Sequence, residues 1–203
     1  MCRCRVQIRM PQINPAEIQG KWRKGFALDR HVVSSEFLGY NEAGHPQFEN
    51  KRSEIGELLY RLKYQNDQSA VDPLVNAAVA YLKKWNPGMN AIVPVTPSRE
   101  RKVQPVVTVG AAIAEKLKVE FGDGWIKRTG KVPELKNIGH DERLRLLQSA
   151  HTVEQKKVKG RKILLLDDLF QTGATMNAIT EALLKQGEAA EVYALALTRA
   201  GKV

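Results

Sequence analysis

Asp167 and Asp168 stand side by side directly after the apolar run Ile163-Leu164-Leu165-Leu166, and Gln171-Thr172-Gly173-Ala174-Thr175 follows shortly after them. Adjacent carboxylates accept hydrogen bonds from vicinal hydroxyls, such as the 2′ and 3′ hydroxyls of a ribose, and repel a phosphate. The Thr-Gly-Ala-Thr stretch has the opposite bias. It offers two hydroxyls and backbone N–H groups where a helix begins, and unpaired donors and the positive end of a helix dipole favour a phosphate there. A ligand with a cis-diol and a 5′-phosphate satisfies both. Taken singly, each feature is also ordinary: aspartates at strand ends form turns and caps, and Thr-Gly is common loop chemistry. Their order points to a sugar phosphate. The other phosphate signatures are absent, with no G-x-G-x-x-G after a strand and no G-x-x-x-x-G-K-[ST].

These residues need a particular scaffold. Ile163–Leu166 is too short for a helix and carries no polar position, which reads as a strand buried on both faces of a parallel sheet, with the acids at its end. From Met176 to Gln186 the spacing of Ile179, Leu183 and Leu184 predicts a helix. The same order occurs earlier. Ala91–Val95 reads as a strand, Thr96–Lys102 as a polar loop, and 104–118 as a helix turning Val107, Ala111, Ile113, Ala114 and Leu117 inward. Right-handed parallel connections put both loops on one sheet edge.

Elsewhere, Ser53 with Glu54 and Glu57 opens a helix carrying Ile55, Leu58, Leu59 and Leu62 to about Tyr64, and a second helix spans about Pro73 to Trp85. Residues 1 to 50 are broken by glycine and proline. Within them, Phe26–Val33 reads as a strand of a hairpin returning through Glu36–Tyr40, and His31 reads as an isolated strand residue. Trp125–Arg128 reads as a short strand. The Gly- and Lys-containing segment from Thr129 to His140 reads either as a lid or as an ordinary basic loop before the helix-like 141–148. Glu191–Leu197 reads as the final strand.

The chain has 203 residues, 43% hydrophobic and 27% charged, which suits one soluble α/β domain with a small extension. No apolar run approaches the roughly 20 residues that span a bilayer, and Met1-Cys-Arg-Cys-Arg lacks the apolar core of a secretory signal, so a cytoplasmic protein is expected. Cys2 and Cys4 lack the second pair that a structural zinc site needs and read as free thiols. A net charge of +10 suits a polyanionic small ligand and nucleic acid alike.

Leu164-Leu165-Leu166-Asp167-Asp168-Leu169-Phe170-Gln171-Thr172-Gly173-Ala174-Thr175 resembles the ribose-5-phosphate signature of type I phosphoribosyltransferases, which use phosphoribosyl pyrophosphate (PRPP). The resemblance implies an α/β fold with a mainly parallel sheet flanked by helices: an N-terminal hood or extension over 1–50 and a phosphoribosyltransferase domain over 51–203. It implies that Asp167 and Asp168 hold the ribose hydroxyls and Gln171, Thr172, Gly173, Ala174 and Thr175 the 5′-phosphate. Gln171 departs from the Thr or Ser of many members. Val93–Arg99 resembles the pyrophosphate loop, giving Thr96, Ser98 and Arg99 that role; a hydroxyl, backbone N–H groups and a bidentate guanidinium suit a diphosphate. Arg128, Lys131, Lys136 and Arg143 would belong to a flexible loop meeting the pyrophosphate.

Over most of its length the chain is similar to the ComF-like branch, on Gly25–His31, Ile55–Tyr64, Arg128 and Arg143. It lacks that branch's four-cysteine zinc module, and Pro133-Glu134 stands where a glutamine is common. The reaction implied is a transfer to a nitrogen base or amine with release of pyrophosphate. Asp167, Asp168 and Arg99 would be catalytic, and magnesium would be carried by PRPP near Asp167 and Asp168 without an assigned protein ligand. Little chain follows the final strand, so base recognition falls to about the first 60 residues. A homodimer follows by family analogy only. The rival expectations are a non-catalytic PRPP- or nucleotide-binding regulator and a protein associated with nucleic acid.

Overall fold

Hydrophobic patterning builds a layered α/β molecule, seen in a computed structural model that describes residues 9–96, 104–129 and 151–201. The strands are β1 (Ala16–Glu17), β2 (Lys24–Arg30), β3 (Val32–Tyr40), β4 (Pro46–Arg52), β5 (Ala91–Pro94), β6 (Glu120–Phe121), β7 (Ile126–Arg128), β8 (His151–Val153), β9 (Lys162–Phe170) and β10 (Glu191–Arg199). The helices are α1 (Glu54–Tyr64), α2 (Val71–Trp85), α3 (Pro105–Leu117), α4 (Gln155–Val158) and α5 (Ala174–Lys185). Six strands form the central sheet in the order β1-β2-β10-β9-β5-β6, all parallel except the β1–β2 pair.

The strand β9 lies in the middle because its residues have nowhere polar to go. Ile163, Leu164, Leu165 and Leu166 are all fully buried, each gaining about 1.5–3 kcal/mol from leaving water. Side chains alternate across the strand. Leu164 and Leu166 join one core with α1, α2 and α3, whereas Ile163 and Leu165 join a second core with α5 and Trp125.

The N-terminal segment differs from the expected hairpin through residues 26–40. Lys24–Arg30 instead runs parallel to β10 within the central sheet, because Ala27 and Leu28 are both fully buried, one in each core. The hairpin pairs β3 with β4. It rises from the carboxyl end of β2 and exposes Val33, Phe37, Leu38, Tyr40 and Phe48, with the Phe37 ring against Phe48 and Tyr40. The buried stripe of α3 also differs. Val106, Val109, Ile113 and Ala114 are buried, whereas Ala111 is exposed; the alternative phase puts the larger valines inward.

The base of α1 is fastened to the end of β2. Ser53 Oγ accepts from Gly56 N (3.0 Å) as an N-cap and donates to the Arg30 carbonyl (2.5 Å). Gly56 allows this closeness, since a Cβ there would stand 2.2 Å from the His31 carbonyl oxygen. Gly56→Ala should therefore lower stability by about 1–3 kcal/mol through overpacking, although helix propensity alone would add about 1 kcal/mol. A drop in the urea midpoint checks this; a rise would show that α1 is free to shift.

Candidate functional site

The two acids lie inside β9, which runs on to Phe170 instead of ending at Leu166. On one side β10 keeps pairing with it, through Ala196 opposite Asp167 and Thr198 opposite Leu169. On the other side β5 stops pairing at Pro94 opposite Leu166, and the last contact is Val95 N donating to the Leu166 carbonyl (2.8 Å). The sheet opens beside the acids. The connection from β5 through α3 leads outward to β6, while the connection from β9 through α5 leads the other way to β10. Adjacent parallel strands whose connections diverge leave a crevice at their carboxyl ends, where open α/β sheets bind ligands. Because β5 and β9 are parallel neighbours, the two chains leave the sheet at the same edge; of the expected loop 96–102, only Thr96 is among the described residues.

Strand alternation turns Asp167 toward the α5 side and Asp168 toward the α1 side. Asp167 Oδ1 accepts from Asp168 N (2.8 Å). Burial, and then the neighbouring Asp168 charge, push its carboxyl up to about 7. The Asp168 carboxylate has a different anchor: Lys63 Nζ, from the last turn of α1, lies 2.6 Å from Oδ2. Thr198 Oγ1 donates to the Asp168 carbonyl (2.9 Å) and lies 3.3 Å from His31 Nδ1. His31 is held below its usual range by burial, then by the Arg52 and Lys63 charges. It is thus not isolated. It belongs to a polar cluster that runs from the base of the hairpin to the acids.

Asp167 also gives a pH dependence. Its folded pKa lies above its ordinary 3.8, so the folded state holds more protons than the unfolded chain between about 4 and 7. Stability is greatest below this window and falls as pH rises through it, by at most about 1.4 kcal/mol per pH unit. Thermal melts should show that slope in the wild type and not in Asp167→Asn.

Past Phe170 the chain turns through Gln171, Thr172 and Gly173 into α5. Gly173 caps the helix at φ +73, in the left-handed region that glycine tolerates, with its open side against the Phe170 ring. No side chain caps this N-terminus, and Gln171, Thr172 and Thr175 are exposed, Ala174 half-buried. The Thr172 hydroxyl accepts only a long bond from Ala174 N (3.4 Å), leaving donors for an anion. The helix begins at Ala174, two residues before the expected Met176. At the end of β5, the Thr96 hydroxyl is buried with no hydrogen-bond partner among the described residues. It is an orphan donor at the mouth of the crevice.

Arg128 is exposed at the end of β7, which pairs with β8 outside the six-stranded sheet. Ser98, Arg99, Lys131, Lys136 and Arg143 lie outside the described residues, as do Cys2 and Cys4. Among the described residues no group of three or more His, Cys, Asp and Glu side chains gathers as a metal cage. Two adjacent carboxylates nonetheless fit magnesium, which keeps several waters and is commonly held by one or two carboxylates with substrate phosphates. None of the helices among those residues is long and apolar enough to cross a membrane.

Sequence reasoning missed Lys63. Its signal was legible: Ile55, Leu59 and Lys63 follow one another at intervals of four, so a lysine occupies a position in phase with the buried stripe of α1.

Residues 106–202 match the family described as "Phosphoribosyl transferase domain". The chain is 27% identical over 144 residues to competence protein ComFC of Bacillus subtilis (strain 168), covering 70% of this chain and 59% of that protein. It is 29% identical over 97 residues to adenine phosphoribosyltransferase of Bifidobacterium longum (strain DJO10A), covering 46% of this chain and 50% of that one. The chain thus spans between half and three-fifths of the length of these relatives. Among solved structures, glutamine PRPP amidotransferase from B. subtilis, complexed with ADP and GMP, superposes with a TM-score of 0.51 at 15% identity. That match covers 77% of this chain and 34% of the other, and it shows the shared fold.

Proposed function

We propose that this chain is a type I phosphoribosyltransferase with a ComF-like relationship, a reading supported by the family match over residues 106–202 and by the two relatives, and that it transfers the phosphoribosyl group of PRPP to a nitrogen base or amine, releasing pyrophosphate. The observation that carries this reading is the crevice itself. Two adjacent carboxylates stand within β9 just past the point where β5 stops pairing, a helix N-terminus without a side-chain cap begins at Ala174 beyond them, and a Thr96 hydroxyl with no partner among the described residues lies on the other side. Those are the partners of a diol, a 5′-phosphate and a diphosphate, the three polar parts of PRPP.

In the proposed reaction the bond from C1 to the diphosphate oxygen breaks as the acceptor nitrogen approaches C1, and the ribose passes through an oxocarbenium-like state. The protein's part is placement and charge stabilisation. Gln171, Thr172, Gly173, Ala174 and Thr175 anchor the 5′-phosphate. Asp167 and Asp168 hold the 2′ and 3′ hydroxyls and place negative charge near the developing cation. Thr96, Ser98 and Arg99 receive the leaving diphosphate, and Arg128, Lys131, Lys136 and Arg143 close over it and keep water out. Asp167 and Asp168 would lie beside a magnesium ion carried in with PRPP, which would supply positive charge against that of the diphosphate. The hairpin of β3 and β4 forms the hood on the acceptor side, whereas β1 and β2 belong to the central sheet of the transferase domain, which therefore begins before residue 51. The setting is the cytoplasm, and a homodimer follows by family analogy alone.

Calorimetric titration with PRPP and magnesium tests the site, and pyrophosphate release across a panel of bases and amines tests the transfer. Absence of PRPP binding would overturn the reading. Binding without release for any acceptor would favour a non-catalytic PRPP- or nucleotide-binding regulator. The net charge of +10 supports a second reading, association with nucleic acid; salt-dependent duplex binding that PRPP leaves unchanged would favour it.

A further inference from the structure

The two ribose acids are anchored unequally. Asp167 is tied to its own strand by the Asp168 N–H, whereas Asp168 is tied to a different element, through Lys63 of α1. The Lys63 and Asp168 side chains are only 16% and 19% exposed, so neither charge is well solvated. Stability does not account for such a pair. Desolvating two charges commonly cancels their attraction, and an apolar side chain of similar volume serves a helix–sheet contact as well or better. That alternative suits α1, whose in-phase neighbours Ile55 and Leu59 are fully buried. A lysine in phase with them, meeting the acid that faces its helix, is explained by what it does to that acid.

We propose that Lys63 is a positioning residue of the ribose site: its ammonium, delivered by α1, holds the Asp168 carboxylate in the orientation from which it accepts a ribose hydroxyl, making the seating of α1 a condition of sugar binding. The inference rests on the PRPP reading above. Three contacts define the orientation. Lys63 engages Oδ2, Thr198 holds the Asp168 backbone carbonyl, and the Ser53 bridge to the Arg30 carbonyl fixes α1 against the end of β2. With one carboxylate oxygen committed to Lys63, the other is left to the ligand. Without Lys63 the carboxylate is free to rotate and, beside Asp167, has no countercharge among the contacts described here. The lysine acts on the diol end of the ligand and not on its diphosphate, which gives it a signature that a general basic residue lacks.

The test compares Lys63→Met, Lys63→Arg, Asp168→Asn and the Lys63→Met/Asp168→Asn double variant. Their affinities for PRPP with magnesium and for inorganic pyrophosphate with magnesium are read by calorimetry. Lys63→Met should weaken PRPP tenfold or more while pyrophosphate changes less than twofold, and Lys63→Arg should recover to within about threefold of wild type. In the Asp168→Asn background, Lys63→Met should add less than twofold, because the lysine works through that carboxylate. Near-UV circular dichroism confirms folding, and Lys63→Gln replaces the methionine variant if that one does not fold. The inference is overturned if folded Lys63→Met binds PRPP like wild type, if PRPP and pyrophosphate weaken equally, or if the two single losses multiply in the double variant. Wild type that fails to bind PRPP would sink the functional reading as well; wild-type binding with an unchanged Lys63→Met sinks this inference alone.

Discussion

Replacing both aspartates, Asp167→Asn with Asp168→Asn, should cut PRPP affinity at least about 100-fold and leave the fold intact. A hydrogen bond to a charged group contributes about 1.5–3 kcal/mol, and about 1.4 kcal/mol is tenfold in affinity. Two such bonds would multiply to more, but neighbouring losses rarely add in full. Folding should survive because asparagine is close in shape and relieves the desolvation and mutual repulsion that push the Asp167 carboxyl up to about 7. Part of that gain is offset at Asp168, where Lys63 loses its partner. The single variants separate the effects: Asp167→Asn should gain stability at neutral pH, and Asp168→Asn should lose some. Calorimetry at fixed magnesium decides the binding claim, and a double variant within tenfold of wild type would remove the acids from the ribose site.

The largest loss of stability is expected from Leu164→Ala, at about 2–5 kcal/mol. Leu164 is fully buried on the central strand, between Tyr193 of β10 and Ile92 of β5, in the core shared with Leu28, Leu59 and Leu195. Neighbouring strands on both sides hold the backbone apart, so the vacated space has little scope to collapse, and the cavity cost adds to the lost transfer energy. Urea unfolding should show a lower midpoint with an unchanged slope. Leu184→Ala is the control. Leu184 is 36% exposed, so its substitution should cost well under half as much; equal losses would mean that the strand repacks.

Much of this protein follows from local chemistry alone. The continuous apolar run of β9 demanded burial on both faces, the amphipathic spacing of α1 and α2 set their inward sides, that of α5 did so for Ile179 and Leu183 but not for the exposed Leu184, and the Asp-Asp and Thr-Gly-Ala-Thr pairing pointed to the sugar phosphate proposed as ligand. Each is a short-range pattern, governed by the two periodicities of backbone structure. The reading was weaker where two local patterns competed, as in the phase of α3, and at the start of α5, where Gly173 at positive φ lets the helix begin at Ala174.

Tertiary structure decided the rest because it depends on residues far apart in sequence. Phe26–Val33 looks like half of a hairpin until β10, some 165 residues later, offers Lys24–Arg30 a parallel partner. His31 looks solitary until Thr198 and Lys63 arrive beside it. The Lys63–Asp168 ion pair joins residues 105 positions apart. A lysine's charge is visible in the sequence, but the carboxylate it will meet is chosen only when α1 docks on the sheet.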